Sequence, residues 1–243
     1  KKQKLDFVIV NGENAADPGV GITKKNIEDF IKAGADVITT GNHVWDQKET
    51  MEIITNEKRL LRPENLTKGS PGNGYGVYNS KNKKRVAVIN LMGNIFMKKC
   101  EDVFEAAQKF IKSIQLKKDA DFIVVDIHGE ITSEKMAMGY FLDGKATMVV
   151  GTHTHVPTSD YRILEKGTAY QTDIGMCGDY NSVIGMNKDN SLKKFLKDSS
   201  ATKHYPALGE ATISGLMVVA DNKTGLANKV EPIVLGGSLK NTI

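Results

Sequence analysis

The stretch TMVVGTHTH, Thr147 to His155, joins a short apolar run to two histidines at alternate positions. An apolar run of this length, rich in β-branched residues and closed by glycine, reads as a strand buried on both faces, as in a parallel sheet covered by helices. Alternate residues of an extended segment point to the same side, so His153 and His155 can present both imidazoles to one point. Such a pair can hold a metal. A single histidine beside a strand is also a common hydrogen-bonded residue of a partial core, and the rest of the chain has to decide between the two readings.

Working outward, the same design recurs. LDFVIV (Leu5 to Val10) runs into the Gly-rich loop NGENAADPGVG, DVITT (Asp36 to Thr40) into GNH, and DFIVVDI (Asp121 to Ile127) into HGE. KRVAVINL (Lys84 to Leu91) is a further strand. Between them, TKKNIEDFIKAG carries Ile27, Phe30 and Ile31 at helical spacing, with Thr23 as N-cap and Gly34 as stop, and a second amphipathic helix lies around VFEAAQKFIKSI. This alternation predicts a layered α/β fold. After Val150 the texture changes: YRILEKGTAYQTD, ATISGLMVVAD and KVEPIVL are β-rich with Gly and Asp-Asn turns, which favours antiparallel strands.

Four strand exits therefore deliver metal-competent side chains: Glu13 and Asn14, Asn42 and His43, His128, then His153 and His155. In an α/β sheet such exits lie along one edge, where ligands bind. Four of the five histidines fall there, and only His204, in TKHYP, is left to the surface. Each residue has a bland reading by itself. Asn42 behind Gly41 can be a turn residue, Glu13 a solvated loop carboxylate, and His128 a strand cap. Asp46 can be the N-cap of a following helix and Trp45 a packing residue. Taken together the bland readings multiply, and a shared site is the simpler explanation. Carboxylate, amide oxygen and imidazole without thiolate suit two close divalent ions (Fe²⁺ or Mn²⁺, with Zn²⁺ or Mg²⁺ also compatible) better than a closed structural zinc. Two ions about 3.5–4 Å apart are the usual clamp for displacement at phosphorus, so hydrolysis of a phosphate ester follows.

The chain of 243 residues is expected to form one domain over 1–243. Its 33 Lys and Arg against 29 Asp and Glu leave a net charge of +4, too small and too evenly spread for a nucleic-acid groove. The basic runs KKQK, NKKR and LKKF read as solvated surface. No apolar run approaches the roughly 18 residues that span a bilayer and no leader pattern is visible, which predicts a cytoplasmic protein. Cys100 and Cys177 read as two reduced thiols, Cys177 small and buried. Met-bearing strands would allow a homo-oligomer contact. The chain opens KKQKLDFVIV without an initiating Met, and its N-terminus is expected to be incomplete.

The ordered motifs VNGEN, GNHVWD, RLLRPEN, INLMG, DIHGEITSEK, VVGTHTHVPTSD and TDIGMCGDYNSVIGM resemble the calcineurin-like metallophosphoesterases, and among them the YmdB-like branch of 2′,3′-cyclic-nucleotide 2′-phosphodiesterases. The resemblance runs from about Leu5 to Gly185. It implies a four-layer α/β/β/α sandwich with two metals at its rim. Carried onto this chain, Glu13 bridges both ions, Asn14 and His155 serve the first, and Asn42, His128 and His153 hold the second. His43 then donates a proton to the leaving alkoxide after attack by a metal-bridging hydroxide. Two departures stand out. The family has an acidic residue directly after the GNH histidine, where this chain has Val44, with Asp46 as the candidate substitute. The family's first strand, with the Asp that completes the first ion's ligands, would precede the start of this sequence.

The expected substrate is a small phosphodiester, a cyclic nucleotide in particular. A phosphomonoesterase acting on nucleotides or phosphoproteins is the nearest rival, and a non-catalytic nucleotide-binding regulator is the rival of a different class. Arg62, Lys135 and the loop GMCGDYNS are candidates for substrate contact, each with an equally good surface or turn explanation.

Overall fold

The computed structural model of the protein describes residues 4–17 and 19–242. In chain order its elements are β1 (Ile9–Asn11), α1 (Lys24–Ala33), β2 (Val37–Thr39), α2 (Thr50–Asn56), β3 (Tyr75–Asn79), β4 (Arg85–Met92), α3 (Val103–Ser113), β5 (Phe122–His128), α4 (Thr132–Phe141), β6 (Met148–Thr152), β7 (Arg162–Ile163), β8 (Ala169–Gln171), α5 (Lys188–Phe195), β9 (Ile213–Ala220) and β10 (Ala227–Leu235). Strands β1 and β2 form a parallel ladder, extended by main-chain bonding of Ile38 to Arg59 and Leu61. A six-stranded sheet has the order β3-β4-β5-β6-β8-β7. Its four central strands are parallel and its two edges antiparallel. The β9–β10 hairpin lies alongside, with the Ala227 amide donating to the Gly167 carbonyl at 2.8 Å.

Period-two alternation sorts the side chains into layers. Ala87, Ile89 and Leu91 of β4 and Ile123, Val125 and Ile127 of β5 face Val103, Ala107 and Phe110 of α3 and Met138 of α4. The intervening Val86, Val88 and Val124 face the other way, onto Val37 of β2, Leu61 and Ile9. Ile38 and Leu60 turn outward again, under Ile22, Ile27 and Ile54 of the layer that carries α1 and α2. The result is helices, small ladder, large sheet, helices: the expected four-layer α/β/β/α sandwich. Each buried Val, Leu or Ile contributes about 1.5–3 kcal/mol. That gain lets the space between the sheets also hold polar groups at its upper end, where Asp126 and His128 continue the inward face of Val124.

Local chemistry sets the boundaries. Thr23 and Asn26 form a capping box for α1, and Gly34 at φ 107° ends it. The first strand is shorter than the expected Leu5 to Val10, because the Asp36 carboxylate takes the Val8 amide at 2.7 Å in place of a strand partner. The late β segments do pair as antiparallel hairpins, yet β8 also joins the large sheet parallel to β6. The basic run Lys1 to Lys4 falls almost wholly outside the described residues. Among the described residues no helix is long and apolar enough to cross a membrane.

Candidate metal centre

Four predicted residues meet at the strand exits. His128 ends β5 with its Nε2 at 2.6 Å from Glu13 Oε2, 2.9 Å from Asn42 Oδ1 and 3.1 Å from His153 Nδ1. Ligand atoms of Glu13, His128 and His153 all lie within 4.8 Å of one another. Glu13 and Asn42 come from loops of the small ladder, His128 and His153 from the large sheet. Gly41 is obligatory in this packing: a Cβ there would run into the His128 ring.

The supporting bonds assign the ring tautomers. His128 Nδ1 lies 3.0 Å from Thr152 Oγ1, which donates to Asp126 Oδ1 at 2.7 Å. Asp126 also accepts from Thr39 Oγ1 at 2.6 Å and Asn11 Nδ2 at 3.0 Å, and even so its burial keeps its pKa raised. His153 Nε2 faces Glu130 Oε2 at 3.1 Å, which directs the Nδ1 lone pair into the cluster. Burial first, and the His128 charge second, push His153 down to about 4, so its imidazole is neutral at pH 7. For Glu13, burial alone would raise the pKa, but His128 and the His43 amide, 2.6 Å from Oε1, hold it below its usual range. Burial works against a charge on His128, yet the Glu13 and Asp126 carboxylates raise its pKa. A single Nε2–H serves one acceptor well, whereas here a carboxylate, an amide oxygen and an imidazole lone pair all converge on it. A cation relieves that crowding, and the donor set of oxygen and imidazole suits a divalent one.

Two predicted ligands stand apart from this group. His155 lies outside the 4.8 Å cluster; its Nδ1 donates to the Ile184 carbonyl at 2.7 Å, which leaves Nε2 as its free ligand atom. Asn14 keeps its Oδ1 buried with no hydrogen-bond partner among the described residues, a second sign of a donor aimed at something else. The premise that His153 and His155 share a face of an extended segment is corrected: β6 stops at Thr152, and both histidines adopt positive φ, 107° and 67°.

Other expectations are redirected. His43 sits beside the cluster with Nδ1 at 2.6 Å from Asp46 Oδ2, so Asp46 orients this imidazole and is no helix cap; the α2 N-cap is Glu49. Trp45 packs against the cluster under α1 and α2. Lys135 is fully buried, paired with Asp173 at 3.1 Å, and cannot reach a substrate. The Arg62 guanidinium is spent on the carbonyls of Pro63, Glu64, Ser70 and Pro71. Cys177 is exposed, and His204 lies on the surface as expected. Sequence reasoning missed Glu130 and Asp126. Their signal was present in DIHGE, as acidic residues two places either side of a histidine leaving an apolar strand.

The model of the family described as YmdB-like protein matches residues 1–233. The chain belongs to that family. The 2′,3′-cyclic-nucleotide 2′-phosphodiesterase of Bacillus subtilis is 44% identical over 96% of this chain and 87% of its own length. Among solved structures, a hypothetical protein from Thermus thermophilus superposes with a TM-score of 0.87 at 37% identity, covering 96% of this chain and 89% of that one. A novel phosphatase from Mycoplasma pneumoniae gives 0.85 at 37% identity, over 95% of this chain and 82% of its own. This YmdB-like chain is thus an α/β protein of the metallophosphoesterase type.

Proposed function

We propose that this YmdB-like protein is a metal-dependent phosphodiesterase whose substrates are small phosphodiesters, 2′,3′-cyclic nucleotides in particular. The observation that carries the reading is the convergence of Glu13, Asn42, His128 and His153 within contact distance, with the His43–Asp46 pair one residue away. The B. subtilis relative's activity supports the same substrate class.

Glu13, Asn42, His128 and His153 would hold one divalent ion, and Glu13 with Asn14 and His155 a second; iron or manganese fits these donors best. When bound, such ions supply Lewis acidity, an activated water and neutralisation of phosphoryl charge. The chain's own residues supply the rest. The His43 amide ties its loop to Glu13 Oε1, fixing the imidazole beside the site. With Nδ1–H donated to Asp46, a protonated His43 has its Nε2–H free to deliver a proton to the departing alkoxide. The Lys98 ammonium donates to the Asn42 carbonyl at 2.7 Å and lies 3.8 Å from Asp46, holding the acid and its orienting carboxylate in register.

The test is turnover of 2′,3′-cyclic AMP and of an aryl phosphodiester by the Mn²⁺-loaded protein. His43→Ala is expected to lower kcat by about 10²–10⁴ with metal content retained. Asp46→Asn should cost less, since the ring keeps a neighbour but not its counter-charge. No metal-dependent turnover, or a His43→Ala variant as fast as wild type, overturns the proposal. Because the M. pneumoniae neighbour is named a phosphatase, matched mono- and diester substrates assayed side by side decide between the two ester classes.

A further inference from the structure

Phe96 and Ile184 are set apart by two independent features. Each is a large apolar side chain left in solvent, 84% and 54% exposed. Each also holds a left-handed backbone, at φ 60° and φ 48°, although neither is glycine. No other non-glycine residue among those described combines the two. Strain and exposure both oppose stability, and strain of this kind persists where the surroundings over-determine it, commonly at ligand clamps.

Both residues are fastened to the metal centre. The loop carrying Phe96 leaves β4 with the Gly93 amide on the His128 carbonyl at 2.9 Å and returns through Lys98 on the Asn42 carbonyl at 2.7 Å. It arches from one ligand to another. Buried Glu134 pins its start, accepting from the Asn94 amide at 2.9 Å, and Asn94 Oδ1 accepts from the Val103 amide at 2.9 Å. Phe96, three residues from Gly93, stands within about 10 Å of that anchor by chain reach. Ile184 sits at the tip of a tight turn closed by paired Val183 and Met186 bonds at 2.9 Å, and its carbonyl is the one that holds His155 at 2.7 Å. Such a turn favours Asn-Gly, so an isoleucine there forfeits stability for its side chain.

We propose that Phe96 and Ile184 are specificity-determining contacts for the substrate's nucleobase, Phe96 as a stacking face and Ile184 as an apolar wall. The assignment rests on the phosphodiesterase reading and narrows it to base-bearing diesters. On this assignment a flat heterocycle attached to a phosphodiester held at the ions meets both groups, and base–aromatic stacking of this kind tolerates any base.

The experiment compares kcat/KM for adenosine 2′,3′-cyclic phosphate with that for base-free 1-O-methylribose 2′,3′-cyclic phosphate, using Mn²⁺-loaded wild type, Phe96→Ala, Phe96→Trp and Ile184→Asn. Wild type should favour the nucleoside substrate. Phe96→Ala should shrink that preference about tenfold, and Phe96→Trp should keep it. Ile184→Asn should reduce it while raising Tm, because Asn tolerates the left-handed turn; a lost preference then cannot be a folding defect. An unchanged preference in Phe96→Ala overturns the assignment. If wild type hydrolyses neither substrate, the hydrolase reading is what has failed, and base contact is read separately from the emission of Phe96→Trp over the wild-type Trp45 signal. Quenching by AMP and not by ribose 5-phosphate upholds it, and equal responses overturn it.

Discussion

At the scale of single residues, the site depends on crowding as much as on ligands. His128 reaches Glu13 and Asn42 only because position 41 has no side chain, and an added Cβ would occupy the volume of the imidazole. Gly41 does not have a positive φ, so alanine meets no backbone penalty there and the whole effect is spatial. Gly41→Ala is therefore expected to leave the fold intact while weakening Mn²⁺ binding about 10–100-fold, as displaced ligands do. Calorimetric titration of the variant checks this, and wild-type affinity would show that the ring can be accommodated elsewhere. The candidate ligands that converge, Glu13, Asn42, His128 and His153, were legible in the sequence because imidazole, amide and carboxylate fall immediately after apolar runs. Their orienting partners were not. Asp46 reads as a helix cap until His43 is seen 2.6 Å away, and Glu130 goes unmarked in the sequence until its carboxylate is found 3.1 Å from His153 Nε2.

At the scale of elements, a buried ion pair and a hydroxyl-bound carboxylate hold the His153–His155 loop. Lys135 on α4 pairs with Asp173, which also accepts from the Thr154 amide at 3.0 Å and hydroxyl at 2.8 Å and from the Gly175 amide at 2.9 Å. Lys135→Met keeps the volume but leaves an uncompensated buried carboxylate, for which a loss of about 3–5 kcal/mol in urea unfolding is expected. Asp160 fastens the far end of the loop, accepting from Thr158 and Thr172 hydroxyls at 2.6 Å each and from Arg162 at 3.1 Å. Burial would raise its pKa, but these donors outweigh it and hold the group below its ordinary value. A depressed carboxylate pKa adds stability above the unfolded value near 3.9, and that stability is lost as pH falls through the folded value. Asp160→Asn should therefore cost about 1–2 kcal/mol at pH 7 and flatten the fall of Tm as the pH drops below about 4. A variant whose acid limb matches wild type would assign that limb to other groups. The helices with caps and the apolar strands were readable in advance, since capping and period are local properties. The direction of β8 was not, because a strand of three residues takes its partner from the sheet it joins.

At the scale of the whole molecule, the candidate ligands belong to two different sheets. Glu13 and Asn42 lie on loops of the β1–β2 ladder, His128 and His153 on exits of the large sheet. Below them the two sheets meet through Val37, Leu61, Val86, Val88 and Val124 and, nearer the rim, through the Asp126 hydrogen bonds to Thr39 and Asn11. A cation at the rim would add a third clamp at the place where the interface is least apolar, so its binding should act on the sandwich as a unit. With Mn²⁺ at 100 times its Kd, linkage adds about 2.7 kcal/mol, which for a chain of this size raises Tm by about 5–10 °C. Chelation should reverse the shift, and hydrogen exchange in both β2 and β5 should quicken together when the ion is removed. Glu13→Gln and His128→Ala are each expected to abolish the Mn²⁺-dependent part of the shift. A Tm indifferent to Mn²⁺ and chelator, or protection that changes on only one of the two sheets, would mean that no ion joins them.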